Sequence, residues 1–165
     1  MEWLARRRIV LGFIAGGVAL WLARPTPRTL AIGCVIALAG EVIRIWAAGH
    51  LEKGREVTTS GPYRWTRHPL YAGSGLMGVG LAVAANSSIV AALVVAYLAL
   101  TIGATVRAEE AHLTEKFGRA YPTYRAGAGP RVARRFSLAR AMRNREYRAT
   151  AGLLAVLALL GWKAL

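Results

Sequence analysis

The sequence predicts an all-α, polytopic integral membrane protein with about five transmembrane helices. Three observations lead to this prediction. Hydrophobic residues make up 55% of the 165-residue chain and charged residues 18%, whereas soluble proteins average about 45–50% and about 25%. The apolar residues form uninterrupted blocks of helix length instead of following amphipathic spacing. The basic residues are sorted into alternate connecting segments.

Candidate spans are the helix-length blocks at 7–23, 29–49, 70–85, 88–107 and 149–163. A helix needs about 20 residues to cross a hydrocarbon core of about 30 Å. The charge-free stretch 70–106 is too long for one such helix, and the polar turn at 85–88 divides it into two. Some spans are short, and flanking arginines can reach the interface to compensate. The alternative is a soluble bundle of very apolar helices, which a domain this small disfavours because it needs polar helix faces.

The chain is expected to form a single membrane domain over 1–165. The charged start and short apolar run of the first segment would also fit a secretory signal peptide. No clear small-x-small cleavage site precedes Arg24, so we expect a retained first span.

The formal net charge of +14 would also suit a nucleic-acid-binding protein, so the placement of the charges must decide. With the N-terminus cytosolic, 18 of the 22 Lys and Arg residues fall on the cytosolic side. They lie at Arg6, Arg7 and Arg8, in the 50–68 loop and in the 107–148 segment. This positive-inside pattern predicts a multi-pass protein of the plasma (inner) membrane with no nucleic-acid partner. Basic segments beside a bilayer attract anionic lipid headgroups, which are therefore an expected partner.

The second predicted span contains two ionisable residues, which are costly inside a membrane. Glu41 and Arg44 are spaced to pair on one helix face. The pair is either purely structural, or Arg44 points into a polar pocket near the inner interface.

The 58–73 segment turns at Gly61-Pro62 and then enters the third span. Pro69 suits the first helical turn, and His68 before it is biased towards extended backbone. This places His68 at a helix N-terminus, where free backbone N–H groups favour an anion. An aromatic belt formed by Tyr63, Trp65 and Tyr71 is the alternative interpretation.

The fourth helix is expected to continue past the interface to Phe117, with Gly118 near its C-cap. Glu109 and Glu110 then lie at the bilayer edge among many arginines. Taken alone, they would be an ordinary solvated helix turn.

Together these segments resemble the isoprenylcysteine carboxyl methyltransferase family and its phospholipid methyltransferase relatives. The resemblance runs from about Gly40 to Tyr124. Its motifs are Arg44-x-Trp46-Ala47-x-Gly49-His50, Gly61-Pro62-Tyr63, Arg67-His68-Pro69-Leu70-Tyr71-Ala72-Gly73 and Glu109-Glu110-x-x-Leu113-x-x-x-Phe117-Gly118-x-x-Tyr121-x-x-Tyr124. Members are multi-span helical enzymes that bind S-adenosylmethionine at the cytosolic face and take a lipophilic substrate from the bilayer.

The resemblance implies a role for each matched position. The cofactor-binding residues would be Gly61, Pro62, Tyr63, His68, Pro69, Tyr71, Glu109 and Glu110. An acceptor carboxylate could be held by Arg44, Arg67 or Arg107 and would need no general base, whereas an amine or thiol acceptor would need His68 or a Glu as base. S-adenosylhomocysteine would be the product. The substrate would be a lipophilic small molecule or a lipidated chain, and the sequence leaves the acceptor and the oligomeric state open.

The basic segment 125–147 departs from the best-known members of this family. With Phe136, Leu138, Ala141 and Met142 among its arginines, it is expected to form an interfacial helix. Substrate selection is a further possible role of this segment.

Two other functions fit part of the pattern. A membrane sterol-type reductase using NADPH shares the Arg-His-Pro-x-Tyr run but leaves Glu109-Glu110 without a role, and the other alternative is a non-enzymatic membrane scaffold.

The G-x-G-x-x-G run at 73–78 lies inside an apolar span, where small residues promote close helix packing, so it is not expected to bind a dinucleotide. His50, His68, His112 and Cys34 lack metal-ligand spacing, so no metal site is expected.

Overall fold

The computed structural model describes residues 14–128 and 132–165. In chain order its helices are α1 (14–22), α2 (Pro27–His50), α3 (Pro69–Ala85), α4 (Ser88–Phe117), α5 (Ala120–Arg125), α6 (Leu138–Arg143) and α7 (Tyr147–Lys163), with a one-turn 3₁₀ helix at Gly61–Arg64 between α2 and α3. The described ranges contain no strand, which confirms the all-α prediction. The start of the first predicted span, 7–13, lies outside the described residues, as do Arg6, Arg7, Arg8 and Arg131.

Within the described residues, two helices, α2 and α4, are long and apolar enough to cross a membrane. Helices α3 and α7 follow their predicted spans, but each has 17 residues. Such a helix rises about 26 Å, which is less than the hydrocarbon core of about 30 Å. Membrane-crossing length is therefore established for two of the five predicted spans, and the five-span topology stays a prediction.

Small residues bring α2 and α3 into close contact. A Cβ atom added at Gly80 would lie 2.3 Å from the backbone N of Ala37, and one at Gly40 would lie 2.6 Å from the backbone N of Met77. Gly73 of the G-x-G-x-x-G run packs in the same way against Gly40 and Arg44. This run therefore serves helix packing, as predicted from its place in an apolar span.

Helix α4 leaves most of its apolar surface uncovered. Its only buried residue is Val90, while Val95 and Leu100 are 62% and 74% exposed. Contiguous apolar surface of this extent is rare on soluble proteins and marks contact with lipid or with a partner. The helix ends at Phe117 with Gly118 as its C-cap, as the sequence predicts.

Polar side chains gather where α2 and α4 end and where α3 and α7 begin. Contacts at this end, called here the polar end, link Arg44 to Glu146 and Tyr71 to Glu109. At the opposite end, Lys163 Nζ donates to the backbone carbonyls of Leu20 and Trp21 at 2.8 and 2.7 Å. The ionisable groups of the predicted site thus share one end of the bundle.

The basic segment 125–147 contains less helix than the sequence suggested. Among its described residues, α5 ends at Arg125 and α6 covers only Leu138–Arg143. Ser137 caps α6 by accepting a hydrogen bond from the backbone N of Arg140. Residues 132–137 are not helical, because Ser137 N instead donates to Gly49 O and fixes the chain across the end of α2.

Candidate functional site at the polar end

The turn before α3 depends on a glycine. Gly61 has a φ of 58°, in the left-handed region that glycine adopts without strain. A Cβ atom there would lie 2.6 Å from the ring of His50. Pro62 and Tyr63 follow as buried residues of the 3₁₀ turn. The predicted turn is therefore present, and it places Tyr63 inside the polar end.

Helix α3 begins as the sequence predicts, with a fully buried Pro69 in its first turn. His68 is the N-cap, with φ −130° and ψ 56°, so the predicted extended backbone is wrong in ψ. Its carbonyl accepts hydrogen bonds from Tyr71 N and Ala72 N at 3.1 and 3.0 Å, as an N-cap carbonyl does, and its Nε2 lies 3.0 Å from Glu110 Oε1. This geometry points the His68 ring towards α4.

Glu110 of α4 is the centre of a charged cluster. Its Oε1 lies 3.0 Å from both His68 Nε2 and Arg67 NH1. Its other carboxylate oxygen, Oε2, is 3.7 Å from Arg125 NH1. His68 and Arg67, which precede α3, thus contact Glu110 of α4, as the predicted site requires. Arg125 of α5 also approaches this carboxylate.

Glu109 faces a different partner. Its Oε2 accepts a hydrogen bond of 2.7 Å from the hydroxyl of Tyr71, one turn into α3. Burial raises the pKa of the Tyr63 hydroxyl well above its usual value, and the nearby charge of Glu109 adds to this effect. The two adjacent carboxylates therefore face aromatic hydroxyls on one side and cationic groups on the other.

Helix α5 closes the site from the far side. Tyr124 donates a hydrogen bond of 2.7 Å to the backbone carbonyl of Tyr63. Tyr121 is buried, and its hydroxyl has no hydrogen-bond partner within the described ranges. Burial, together with the charge of Glu110, raises the pKa of Tyr121 to about 12. Burial also raises the pKa of Tyr124, so both hydroxyls stay protonated at physiological pH.

A cavity of about 360 Å³ opens between the turn before α3 and the end of α5. Its wall is formed by Thr59, Tyr63, Arg64, Trp65, Thr66, Arg67, Tyr124, Arg125 and Gly127. Its volume falls within the range of about 300–1,000 Å³ typical of small-molecule sites. Arg67 and Arg125, which line the cavity, are also the arginines that contact Glu110.

Arg44 lies in a separate part of the polar end. The predicted partner Glu41 is 3.7 Å from it, but a closer contact runs from Arg44 Nε to Glu146 Oε1 at 2.7 Å. Arg44 NH1 also donates to the hydroxyl of Ser74 and, at 3.4 Å, to the carbonyl of Leu70. The predicted ion pair is present, and Arg44 is anchored within a larger network.

The structure brings most, but not all, of the predicted residues together. Arg107 lies on an exposed side of α4 and makes no ion pair within 14–128 and 132–165. Gly61, Pro62 and Pro69 shape the backbone, while Tyr63 and Arg67 line the cavity.

Three contributions were not assigned from the sequence. Glu146 at the start of α7 binds Arg44, Tyr124 binds the Tyr63 carbonyl, and Arg125 approaches Glu110. The spacing of Tyr121 and Tyr124 in the quoted motif was the one available indication for the tyrosine, since it repeats at one helical turn. Nothing in the sequence indicates that Glu146 would meet a residue 102 positions earlier.

Comparison with known proteins finds one matching family model and similarity to two curated proteins. Residues 43–120 match the family described as phospholipid methyltransferase, which confirms the predicted resemblance. Nickel-cobalt-cadmium resistance protein NccN of Alcaligenes xylosoxydans xylosoxydans is 33% identical over 90 residues, covering 53% of this chain and 42% of that protein. Cobalt-zinc-cadmium resistance protein CzcN of Cupriavidus metallidurans is 30% identical over 117 residues. The aligned region covers 67% of this chain and 54% of that protein. The chain thus spans about half the length of these curated relatives. No solved structure matches.

Proposed function

Because residues 43–120 match the phospholipid methyltransferase family, we propose that the chain is a membrane methyltransferase that uses S-adenosylmethionine. The methyl acceptor is a lipophilic molecule reached from the bilayer at the polar end. The main support is that Glu109 and Glu110 of α4 face Tyr71 and His68 at the start of α3. These four residues do not line the cavity of about 360 Å³, but Arg67, which contacts Glu110, does. The reductase alternative gives this carboxylate pair no role.

The residues of the polar end suit the chemical groups of this cofactor. Its ammonium group needs carboxylates, which Glu109 and Glu110 supply. A carboxylate has about four acceptor positions, and the contacts with Tyr71, His68 and Arg67 leave some of these positions for the cofactor. Its sulfonium is attracted by aromatic faces, and Tyr63 and Tyr124 both line the cavity. Its carboxylate suits an arginine fork, and Arg64 is exposed on the cavity wall. When bound, the cofactor supplies a methyl group on a positively charged sulfur.

The three arginines expected at the acceptor differ in availability. Arg67 lines the cavity and is 40% exposed, so it is best placed to hold an anionic group of the acceptor. Arg44 is bonded to Glu146, Ser74 and the Leu70 carbonyl, which makes it an anchor between helices. Arg107 lies on the exposed side of α4, where a substrate would have to approach it from outside the cavity.

The acceptor class decides whether a base is needed. A carboxylate acceptor is already nucleophilic, so the protein has only to orient it and exclude water. An amine must first lose a proton, and His68 is placed for this because its Nε2 contacts Glu110, which would stabilise the ring after it takes the proton.

The names of the two relatives refer to metal resistance, and our proposal does not extend to metal binding. In the part of the chain that the structure describes, no three His, Cys, Asp or Glu side chains are grouped so that they could hold a metal ion.

Calorimetry of the detergent-purified chain tests the cofactor assignment. Titration with S-adenosylmethionine and with S-adenosylhomocysteine should each give saturable heat at one site per chain, and NADPH should give none. Binding of NADPH alone would favour the reductase. The absence of binding heat with all three ligands would contradict an enzyme of either class.

A further inference from the structure

Residues 132–148, called here the C-terminal arm, cross the polar end and lead into α7. Polar contacts hold its inner side against the end of α2. Arg140 donates to Glu52 Oε1 at 2.7 Å and to the Gly49 carbonyl at 2.6 Å. Asn144 donates to the carbonyls of Ala48 and Leu51 at 2.8 and 2.9 Å. The arm is thus fixed at the level where α2 ends and α7 begins.

The arginines of the arm fall into two sets. The first set pairs with Glu52 and Glu56. Arg134 and Arg140 face inward, with side chains 21% and 15% exposed, and the more exposed Arg143 lies 3.4 Å from Glu52 Oε1. The second set is exposed and makes no ion pair with the described residues: Arg135, Arg145 and Arg148. The first set neutralises the available carboxylates, so the charge of the second set is free to act outside the protein.

Apolar side chains share the outer side of the arm with these free arginines. Leu138 and Met142, one turn apart on α6, are 62% and 52% exposed. Tyr147 is 46% exposed, whereas the ring of Phe136 packs inward against Gly49 and His50 of α2. Ala141 of the same helix is buried, so α6 has a definite inner and outer side. Exposed apolar groups interleaved with arginines are typical of segments that lie in a membrane interface.

We propose that the outer side of the C-terminal arm binds an anionic bilayer leaflet. Arg135, Arg145 and Arg148 contact headgroup phosphates, and Leu138 and Met142 enter the boundary of the acyl chains. Two features select a lipid surface as the partner: the free charge is entirely positive, and the arm is continuous with the apolar helix α7 at Tyr147. The proposal does not depend on methyl transfer.

A fluorescent label on the arm tests this in the full-length chain. The native cysteine is removed by Cys34→Ser, and the change Met142→Cys introduces a single thiol for the environment-sensitive dye NBD. The labelled protein is placed in nanodiscs of phosphatidylcholine with or without 30% phosphatidylglycerol. The label should be blue-shifted and quenched by spin-labelled lipid in the anionic discs, and 0.5 M NaCl should reverse much of this. Each free arginine replaced by Gln should weaken docking about fivefold.

A matched variant separates the free arginines from total charge. The triple change Arg135→Gln, Arg145→Gln and Arg148→Gln should lose the quenching. Lys53→Gln, Arg55→Gln and Lys116→Gln remove the same charge from exposed positions at the same end and should retain it. The proposal would be overturned if both variants lost the quenching equally. It would also be overturned if the label in the unmodified arm kept the emission of a water-exposed dye in anionic discs. Circular dichroism of both variants checks that the fold is intact.

Discussion

Arg44 on α2 and Glu146 at the start of α7 are joined by a 2.7 Å hydrogen bond between Nε and Oε1, across 102 positions of sequence. Glu146 is 7% exposed and Arg44 also bonds to α3 through Ser74, so one arginine links three helices. Residue 146 lies outside the matched range 43–120. The C-terminal helix is therefore tied to the matched segment by charge as well as by the apolar cluster that Leu160 forms with Ala84 and Val90.

The change Glu146→Gln should destabilise the protein. It removes the charge facing Arg44 and weakens a charged hydrogen bond, which we expect to cost about 1–2 kcal/mol. In a chain of this size that lowers Tm by about 3–6 °C, measurable by circular dichroism in detergent. Glu115→Gln, an exposed position on α4, is the control and should leave Tm unchanged. A wild-type Tm for Glu146→Gln would show that the bond contributes nothing.

Gly80→Ala should disrupt the contact between α2 and α3. Its Cβ atom would lie 2.3 Å from the backbone N of Ala37, so the helices must separate, at a cost of about 1–3 kcal/mol. Gly75→Ala on the same helix is a matched control, because nothing lies within 4 Å of its Cβ position. Thermal unfolding should show a lower Tm for the first variant and an equal or higher Tm for the second. The reverse order would contradict the small-residue interface.

Glu110→Gln should weaken binding of S-adenosylmethionine about tenfold or more without unfolding the chain. The change removes the carboxylate that contacts His68 and Arg67 and that we assign to the cofactor's ammonium group. His68→Ala should also weaken binding. Calorimetry compares both with Glu115→Gln, for which wild-type affinity is expected. If both site variants bind as tightly as wild type, the cofactor site lies elsewhere.

Glu52 should make the docking of the C-terminal arm sensitive to acid. The hydrogen bond from Arg140 holds the pKa of Glu52 below its ordinary value of about 4.3. A lowered folded-state pKa stabilises the docked arm above the ordinary pKa and loses that effect as pH falls through the lower value. Amide hydrogen exchange of 137–146, corrected for the intrinsic rate, should therefore be slower at pH 7 than at pH 3.

The variant Glu52→Gln supplies the comparison for this acid effect. It should show the faster exchange already at pH 7 and little further change at pH 3. An identical pH response in wild type and variant would assign the acid effect to another group.

The elements that the sequence predicts well are those with a local cause. Apolar blocks locate α2, α3, α4 and α7, and the start of α3 follows from Pro69, whose ring favours the first helical turn. The length of α4 beyond the apolar block was also predicted, because Gly118 provides a stop. The extended backbone at His68 is wrong in ψ, and the contact of its ring with Glu110, 42 positions later, lies outside what the local preference before proline can predict.

The rest of the site depends on contacts distant in sequence. Glu109 and Glu110 were identified only through a family resemblance, because two glutamates at a helix end are ordinarily a solvated turn. Which arginines pair and which stay free could not be read from composition, as the different positions of Arg140 and Arg145 show. Whether an arginine of the arm pairs or stays free depends on where the arm crosses α2. No local pattern in the sequence encodes that position.

Transfer of a labelled methyl group to lipid tests the central claim most directly. Membranes containing the full-length chain are incubated with S-adenosylmethionine carrying a labelled methyl group, and lipids are extracted and separated. Label should accumulate with time in a lipid fraction, fall at least tenfold with Glu110→Gln, and stay at the wild-type level with Glu115→Gln. Label no greater than in membranes lacking the chain, while the purified chain binds the cofactor, would contradict a lipid methyltransferase.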